Sequence, residues 1–410
     1  MIELNTVVIV GGGLAGASAA FELRAQGYGG RLVVVSEEGL PPYERPPLSK
    51  AYLRGEEPLE KAFVRPLADY EAQGIQLLRG RRAVTLDPSS RLLNLDDGTN
   101  LTYDALLIAT GARPRRLTAT NAHLPGLAYL RTAADADALR AAAAEARETV
   151  VIGGGWIGSE VAASLRQLGH AVTLVSNLPR PLERVLGPEV ADVYRTLHLE
   201  HGVRLVHGRV SRIEGTERAD GVALSDGRRI GAELVVVGAG ATPRLELATR
   251  AGLVTTDGAI AVDEYLRTSV PSIYAAGDVA AAWHPRFGRH LRVEHWDNAI
   301  HQGRTAAANI LGRQQPYARI PYFFSDQYDL GMEYRGCAPQ WERVVIRGDL
   351  TARAFHAFWL ADGRVIAAMN ANLWDDGEAL LQLVESEQQV DPARLADPAV
   401  PLDGVLVTAA

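Results

Sequence analysis

The sequence holds one cysteine, Cys337, in 410 residues. A disulfide within the chain is therefore excluded, and so is a redox-active cysteine pair. A small buried hydrophobe is the ordinary role for such a residue. Lysine is almost as scarce: of 42 basic residues only Lys50 and Lys61 are lysine, and the rest are arginine. No apolar run reaches the roughly 18 residues that a membrane span needs. A net charge of -7 gives no reason to expect a nucleic-acid partner. No basic leader precedes the first apolar run, so a cytoplasmic location is expected, with no membrane association. No metal site is expected.

What is present, twice, is a glycine-rich turn. Val8-Ile9-Val10-Gly11-Gly12-Gly13-Leu14-Ala15-Gly16 is echoed by Val150-Val151-Ile152-Gly153-Gly154-Gly155-Trp156-Ile157-Gly158. Each copy is a β-branched run, then G-x-G-x-x-G, then an Ala-rich stretch of helical character. Strand, tight turn and helix N-terminus together receive a dinucleotide pyrophosphate. One copy is a weak signal. Two in one chain point to two dinucleotides held at once, with electrons passing between them.

The duplication extends beyond the turns. Ala109-Thr110-Gly111-Ala112-Arg113-Pro114-Arg115 closes the first half, and Gly238-Ala239-Gly240-Ala241-Thr242-Pro243-Arg244 closes the second. Duplication of a whole domain is the simplest account. Strands are predicted at Thr6–Val10, Leu32–Val35, Leu92–Leu95, Leu106–Ala109, Ala171–Val175 and Leu234–Val237. Helices are predicted at Ala15–Gln26, Asp135–Arg147, Ser159–Leu168, Leu182–Leu199 and Ala299–Leu311. The segment Pro41-Pro42-Tyr43-Glu44-Arg45-Pro46-Pro47-Leu48-Ser49-Lys50 has too many prolines for a regular helix or a central strand. It reads as a surface loop or as an ordered loop lining a ligand. Beyond Pro316 lie four of the seven phenylalanines and three of the six tryptophans. There Val344–Ile346, Ala352–Trp359 and Arg364–Met369 read as antiparallel strands, followed by a helix at Asp375–Glu385. The fold class is therefore α/β: two Rossmann-like dinucleotide-binding domains plus a C-terminal α+β domain.

The order of motifs is specific: glycine turn, Pro-Pro-Leu-Ser-Lys, Ala-Thr-Gly, second glycine turn, Ala-Gly-Asp, then Phe-Ser-Asp-Gln-Tyr-Asp. Over almost the whole chain it resembles the flavin-dependent ferredoxin reductases that serve bacterial oxygenases. In Val293-Glu294-His295 and the following helix it also resembles apoptosis-inducing factor. The resemblance implies a glutathione-reductase-like arrangement, with FAD on residues 1–112 and 242–315. It places NAD(P)H on 113–241 and the α+β domain on 316–410. Electrons would pass from NAD(P)H through FAD to a two-iron, two-sulfur ferredoxin, and the chain would be a monomer. The alternative is a slow NADH-oxidising, signalling flavoprotein like apoptosis-inducing factor. Persulfide- and peroxide-reducing relatives carry a nucleophilic cysteine near residues 40–50, and this chain has none there.

Residue by residue, the resemblance assigns the FAD pyrophosphate to Gly11, Gly13, Leu14, Ala15 and Gly16. It gives the adenosine ribose to Glu37, with Glu38 as fallback. Further contacts fall to Arg45, Val84, Ala109, Thr110, Gly111, Arg131 and Gly277. Asp278 would hold the ribityl or pyrophosphate part, or cap a helix. Lys50 would lie close to the flavin's reactive nitrogen, paired with Glu160, and these two are the candidate catalytic residues. A compact ammonium fits there where a planar guanidinium does not. Glu294, His295 and Trp296 would surround the flavin, with the Trp296 backbone donating to its pyrimidine ring. His295 would face the nicotinamide or solvent. Phe324 stands where relatives often have the tryptophan that covers the flavin edge.

For the second dinucleotide the resemblance assigns Gly153, Gly155, Trp156, Ile157, Gly158 and Gly240. Trp156 would pack on the nicotinamide side or fill a domain interface. The second strand ends Val175-Ser176-Asn177, with no acid to bond a ribose 2′-hydroxyl. Ser176 with Arg180 or Arg184 could take a 2′-phosphate. Gly158 as last glycine favours NADH, and that is the preferred reading, with NADPH as the alternative. Arg313, Arg319, Arg335 and Arg343 are candidates for a basic patch that docks an acidic ferredoxin.

Overall fold

The computed structural model describes residues 4–407. By density of contacts the chain separates into two units. One runs to Arg45 and takes in Leu59–Arg113 and Ala241–Arg319. The other comprises Pro46–Pro58, Pro114–Gly240 and residues 320–407.

The first unit is built on a five-stranded sheet, ordered Ile273–Ala275, Ala105–Ile108, Thr6–Val10, Arg31–Ser36, Ile75–Arg79. Every pairing in it is parallel, as when Val7 aligns with both Leu32 and Ala105. Such strands are covered on both faces, which is why Val7, Val8, Ile9, Val33 and Val34 are all buried with no polar residue between them. Helix Leu14–Ala25 covers one face, and helix Trp296–Ile310 packs against that helix. Their approach is close because Gly303 has no side chain: a Cβ there would lie 2.3 Å from the Ala15 carbonyl oxygen. The predicted helix at Ala299 thus begins three residues earlier, with Trp296 as its first residue and His295 as the extended N-cap.

The second unit repeats the plan. Its parallel sheet is ordered Arg204–His207, Ala171–Ser176, Glu148–Ile152, Leu234–Val237, Leu127–Tyr129. Each unit also carries a three-stranded antiparallel meander, Ala83–Asp87 to Asn100–Thr102 and Val210–Glu214 to Arg229–Gly231. The register slips at the same place in both first strands, between Ala83 and Thr85 and between Val210 and Arg212.

The remainder of the second unit is a five-stranded antiparallel sheet, ordered Tyr322–Gln327, Leu330–Gly336, Arg364–Ala371, Ala354–Ala361, Arg343–Asp349. The last three are the strands the sequence predicts. The first two are additional. Phe355, Trp359, Met332 and Met369 form an apolar cluster with Leu186, Val190, Tyr194 and Leu197 of the helical segment Glu183–Glu200, which breaks at Gly187 ahead of Pro188. Cys337 follows this sheet's second strand and is half-buried rather than buried. Among the described residues no helix is long and apolar enough to cross a membrane. None of their His, Cys, Asp and Glu side chains cluster to hold a metal.

The proline-rich segment is ordered. Pro46–Ser49 forms a 3-10 turn, where the missing N–H groups of two prolines cost nothing. A single helical turn, Ala51–Arg54, follows and ends on Gly55 in the left-handed region. Pro46–Pro58 belongs with the second unit, and with it Ser49 and Lys50.

Candidate functional site

Both glycine turns are cradles in which side chains are excluded by backbone. Gly11 has φ +127, and a Cβ there would lie 2.1 Å from the Ala109 carbonyl oxygen. Gly153 has φ +111 and its Cβ would lie 2.3 Å from the Gly238 oxygen. The third glycines pack helix to strand: a Cβ on Gly16 would meet Gly11 oxygen at 2.0 Å, and one on Gly158 would meet Gly153 oxygen at 1.9 Å. The central N-caps Gly13 and Gly155 face open space. Each turn therefore presents the free N–H groups of a helix start to an unobstructed volume. That is the geometry a pyrophosphate needs, so the residues fit a dinucleotide in both units.

In the first unit, strand Arg31–Ser36 delivers Glu37 and Glu38 just beyond its end. Glu37 pairs with Arg244. Glu38 accepts from Arg45 at 2.9 Å and from the Tyr43 hydroxyl, and the Arg45 guanidinium lies 5.3 Å from the Tyr43 ring centre. Asp278 sits in the turn after strand Ile273–Ala275 and before strand Ala280–His284, so it caps no helix. The preceding Gly277 abuts Ala15 of the first helix, and its N–H donates to Gln302 at 2.8 Å. Asp278 acts electrostatically on both Arg45 and His295. His295 is pushed down to about 4 by desolvation, against the pull of Asp278 and Asp297. Trp296 is first in its helix, where backbone N–H groups point out of the helix start, as its assigned role requires. The carboxyl of Glu44 is raised by burial and partly restored by the Trp296 indole. Glu294 is tied to Arg292. Val84 is half-buried in its meander strand, and Thr110 hydrogen-bonds the Arg244 carbonyl at 3.0 Å. Ala109 is buried and Gly111 adopts positive φ. Arg131 belongs to the second unit, where its N–H meets Asp135.

In the second unit Gly240 takes positive φ three residues beyond the closing strand Leu234–Val237. Ser176 is buried beneath the cradle, accepts from Leu178 N–H at 3.1 Å, and would be struck by a Cβ on Gly154. Ile157 is 46% exposed, unusual for an isoleucine in a helix first turn. Trp156 packs edge-on against Tyr194 and Phe323, at 6.2 and 5.0 Å between ring centres. Arg184 is exposed. Arg180 is held by Asp192 at 2.7 Å and Glu183 at 3.5 Å. Of the four arginines of the predicted docking patch, Arg319 forks onto Asp297 at 2.7 and 2.9 Å. Arg335 is largely buried between Glu333 and Asn370. Arg313 and Arg343 are exposed.

The two candidate catalytic residues, 110 positions apart in sequence, meet. Lys50 Nζ lies 2.9 Å from Glu160 Oε2, with both side chains mostly buried. Glu160 projects from the helix Trp156–Gln167 and also accepts from Ser49 Oγ at 2.6 Å and Ser325 Oγ at 2.7 Å. The Lys50 ammonium stands 5.7 Å from the Phe324 ring centre. Ser49 and Ser325 stand within motifs of the chain, but nothing in those motifs assigns them a role. The signal for Ser325 is the alternation of the strand Tyr322–Gln327, in which Phe323, Ser325 and Gln327 are buried and their neighbours are not.

The profile of the pyridine nucleotide-disulphide oxidoreductase family matches residues 5–303, and a reductase C-terminal profile matches 322–406. The chain belongs to that oxidoreductase family. Members of it bind FAD and depend on NAD(P). Among relatives, a 5,5′-dehydrodivanillate O-demethylase ferredoxin reductase subunit from Sphingobium sp. (strain NBRC 103272 / SYK-6) is 42% identical, covering 96% of this chain and 97% of its own. The crystal structure of the ferredoxin reductase for the CYP199A2 system of Rhodopseudomonas palustris superposes with TM-score 0.94 at 38% identity, covering 97% and 99% of the two chains. The covalent putidaredoxin reductase–putidaredoxin complex gives 0.92 at 37% identity, covering 97% of each. Within the oxidoreductase family the chain thus groups with ferredoxin reductases, as its motif order implied.

Proposed function

We propose that this flavoprotein passes electrons from NADH through FAD to a two-iron, two-sulfur ferredoxin that feeds an oxygenase, acting as a cytoplasmic monomer. The observation that carries the reading is the pair of complete cradles, one in each unit, each closed to side chains and open at its N-cap glycine. FAD, when bound, supplies the conversion of a two-electron hydride donor into a source of single electrons; the protein supplies orientation and charge. Gly11, Gly13 and Gly16 would hold its pyrophosphate, Glu37 its ribose, and Asp278, Arg45 and the helix start at Trp296 the remainder. Gly153, Gly155 and Gly158 would hold the nicotinamide dinucleotide, with Ile157 as its apolar contact. These roles divide the chain into three parts, at 112, 241 and 315.

Gly158 as the last glycine of its turn favours NADH, while Arg184 stays exposed. Arg180, one of the two candidates for a 2′-phosphate, is already compensated by two carboxylates, and no other charge comes directly after Ser176. We assign Lys50 to the flavin because its ammonium is fixed rather than mobile: Glu160 holds it, and Phe324 lies beside it. A fixed positive charge stabilises negative charge that builds on a neighbouring group, without reorganisation during the reaction.

The test is stopped-flow reduction of the wild type and of Lys50→Met by NADH and NADPH. Lys50→Met retains flavin absorbance and is reduced about a hundredfold more slowly, the loss typical of removing one preorganised electrostatic group. Equal rates would refute the role of Lys50. Cytochrome c reduction that accelerates only when a two-iron, two-sulfur ferredoxin is added identifies the acceptor. Slow turnover with persistent long-wavelength absorbance would support the signalling alternative instead.

A further inference from the structure

Beyond Glu160 the polar chain continues within the second unit. Ser325 Oγ, which donates to Glu160 Oε1, accepts from Gln327 Nε2 at 3.4 Å. Gln327 Oε1 lies 3.1 Å from His198 Nε2. Ser325, Gln327 and His198 have relative exposures of 1%, 1% and 0%. An amide oxygen only accepts, so His198 Nε2 carries the proton and donates. Burial pushes His198 down to about 4, so the ring is neutral at ordinary pH, and its Nδ1 is left buried without a hydrogen bond. With that tautomer every bond points the same way: His198 to Gln327, Gln327 to Ser325, Ser325 to Glu160. The hydroxyl of Ser49 and the ammonium of Lys50 converge on the other carboxylate oxygen. Ser49 is itself held, its carbonyl accepting from Ser164 Oγ at 2.6 Å.

A buried helix–sheet contact of this kind is ordinarily apolar, and the surrounding residues Tyr194, Phe323, Tyr334 and Trp359 are aromatic. Burying three polar side chains there is favourable only if each finds its partner. We propose that His198, Gln327 and Ser325 are positioning residues that act through Glu160, fixing the carboxylate rotamer that anchors the Lys50 ammonium. The directed chain gives Oε1 a donor of its own, Ser325, and leaves Oε2 to Lys50 and Ser49. Glu160 without Ser325 would have an unsatisfied buried oxygen and a second rotamer open to it.

The role of the chain in the reaction rests on the assignment of Lys50 to the flavin given above; its effect on Lys50 does not. The scarcity of lysine makes that effect directly readable. Amine-reactive labelling of the FAD-loaded protein, followed by peptide mapping, reports Lys50 against Lys61 as internal reference. Ser325→Ala, which removes one oxygen, speeds labelling of Lys50 relative to Lys61 by about tenfold, the factor for one lost hydrogen bond to a charged group. Ser325→Thr keeps the hydroxyl and restores labelling to within about twofold of wild type. Labelling of Lys50 in Ser325→Ala that equals wild type would overturn the inference, as would a Thr variant that behaves like Ala. In parallel, Ser325→Ala moves the flavin midpoint potential in the same direction as Lys50→Met and by less. If Lys50→Met itself leaves the potential unchanged, the flavin assignment of Lys50 falls, and the labelling result alone judges the positioning chain.

Discussion

The two dinucleotide cradles differ least where they touch phosphate and most one residue away from it. The glycines superimpose in function down to the oxygen each would strike, Ala109 against Gly238 and Gly11 against Gly153. Beneath the middle glycines lie Ser36 and Ser176, both buried. Next to them the copies diverge. The first strand end leads into two acids, Glu37 and Glu38, and the second into Asn177. Ala15 is covered by Gly277 and Gly303, whereas its counterpart Ile157 is exposed. At the next turn Ser18 of the first copy corresponds to Glu160 of the second. Even the fifth strand has a different origin: Ile273–Ala275 comes after its cradle in sequence, and Leu127–Tyr129 comes before. A phosphate is recognised by backbone and helix dipole, which tolerate little change. The groups beyond the phosphate are read by side chains, and those are where one duplicated unit acquired a second purpose.

The most severe way to break the comparison is to fill one cradle at a time. Gly11→Ala places a methyl against the Ala109 carbonyl in a backbone conformation alanine resists, and the purified protein is expected to be colourless. Gly153→Ala has the same local defect but should remain yellow and lose reduction by NAD(P)H by about a hundredfold or more. Absorbance spectra and stopped-flow traces decide; if both variants lose flavin, the cradles are not independent.

A smaller effect separates Glu160 from Ser18. Glu160→Leu strands the mostly buried Lys50 ammonium and should destabilise the fold by about 3 kcal/mol in urea unfolding. Ser18→Ala, at the matching position, should change stability by less than about 0.5 kcal/mol. Smaller again is the acid response of His198. Its folded value of about 4 lies below the ordinary 6.5, so the unfolded chain binds the proton more readily. Its contribution is intact above pH 6.5 and is lost as pH falls toward 4. Between pH 6.5 and 5 the wild type should lose about 2 kcal/mol more than His198→Gln. Matched unfolding curves for the two proteins would abolish that assignment.

Much of this was legible in the chain. Strands such as Thr6–Val10 and Leu234–Val237 were found because buried parallel strands are uninterrupted apolar runs. The turns were found because no residue but glycine fits at Gly11, Gly16, Gly153 and Gly158. The strand Tyr322–Gln327 was not, because Ser325 and Gln327 put polar residues at its buried positions, and Leu330–Gly336, which alternates cleanly, was missed with it. Likewise the order of Pro46–Ser49 was hidden behind prolines that merely forbid other structures.

The amino-acid sequence by itself determined the two phosphate cradles, since the strand, turn and helix of each are adjacent in the chain, and the distant strand ends at Ala109 and Gly238 only close them from behind. Only the tertiary structure decided what stands around Lys50. Ser49, Glu160, His198, Ser325 and Gln327 come from four separate stretches of sequence, and no local propensity links them. They are joined because a buried carboxylate must satisfy its oxygens, and that requirement is met only when distant elements pack.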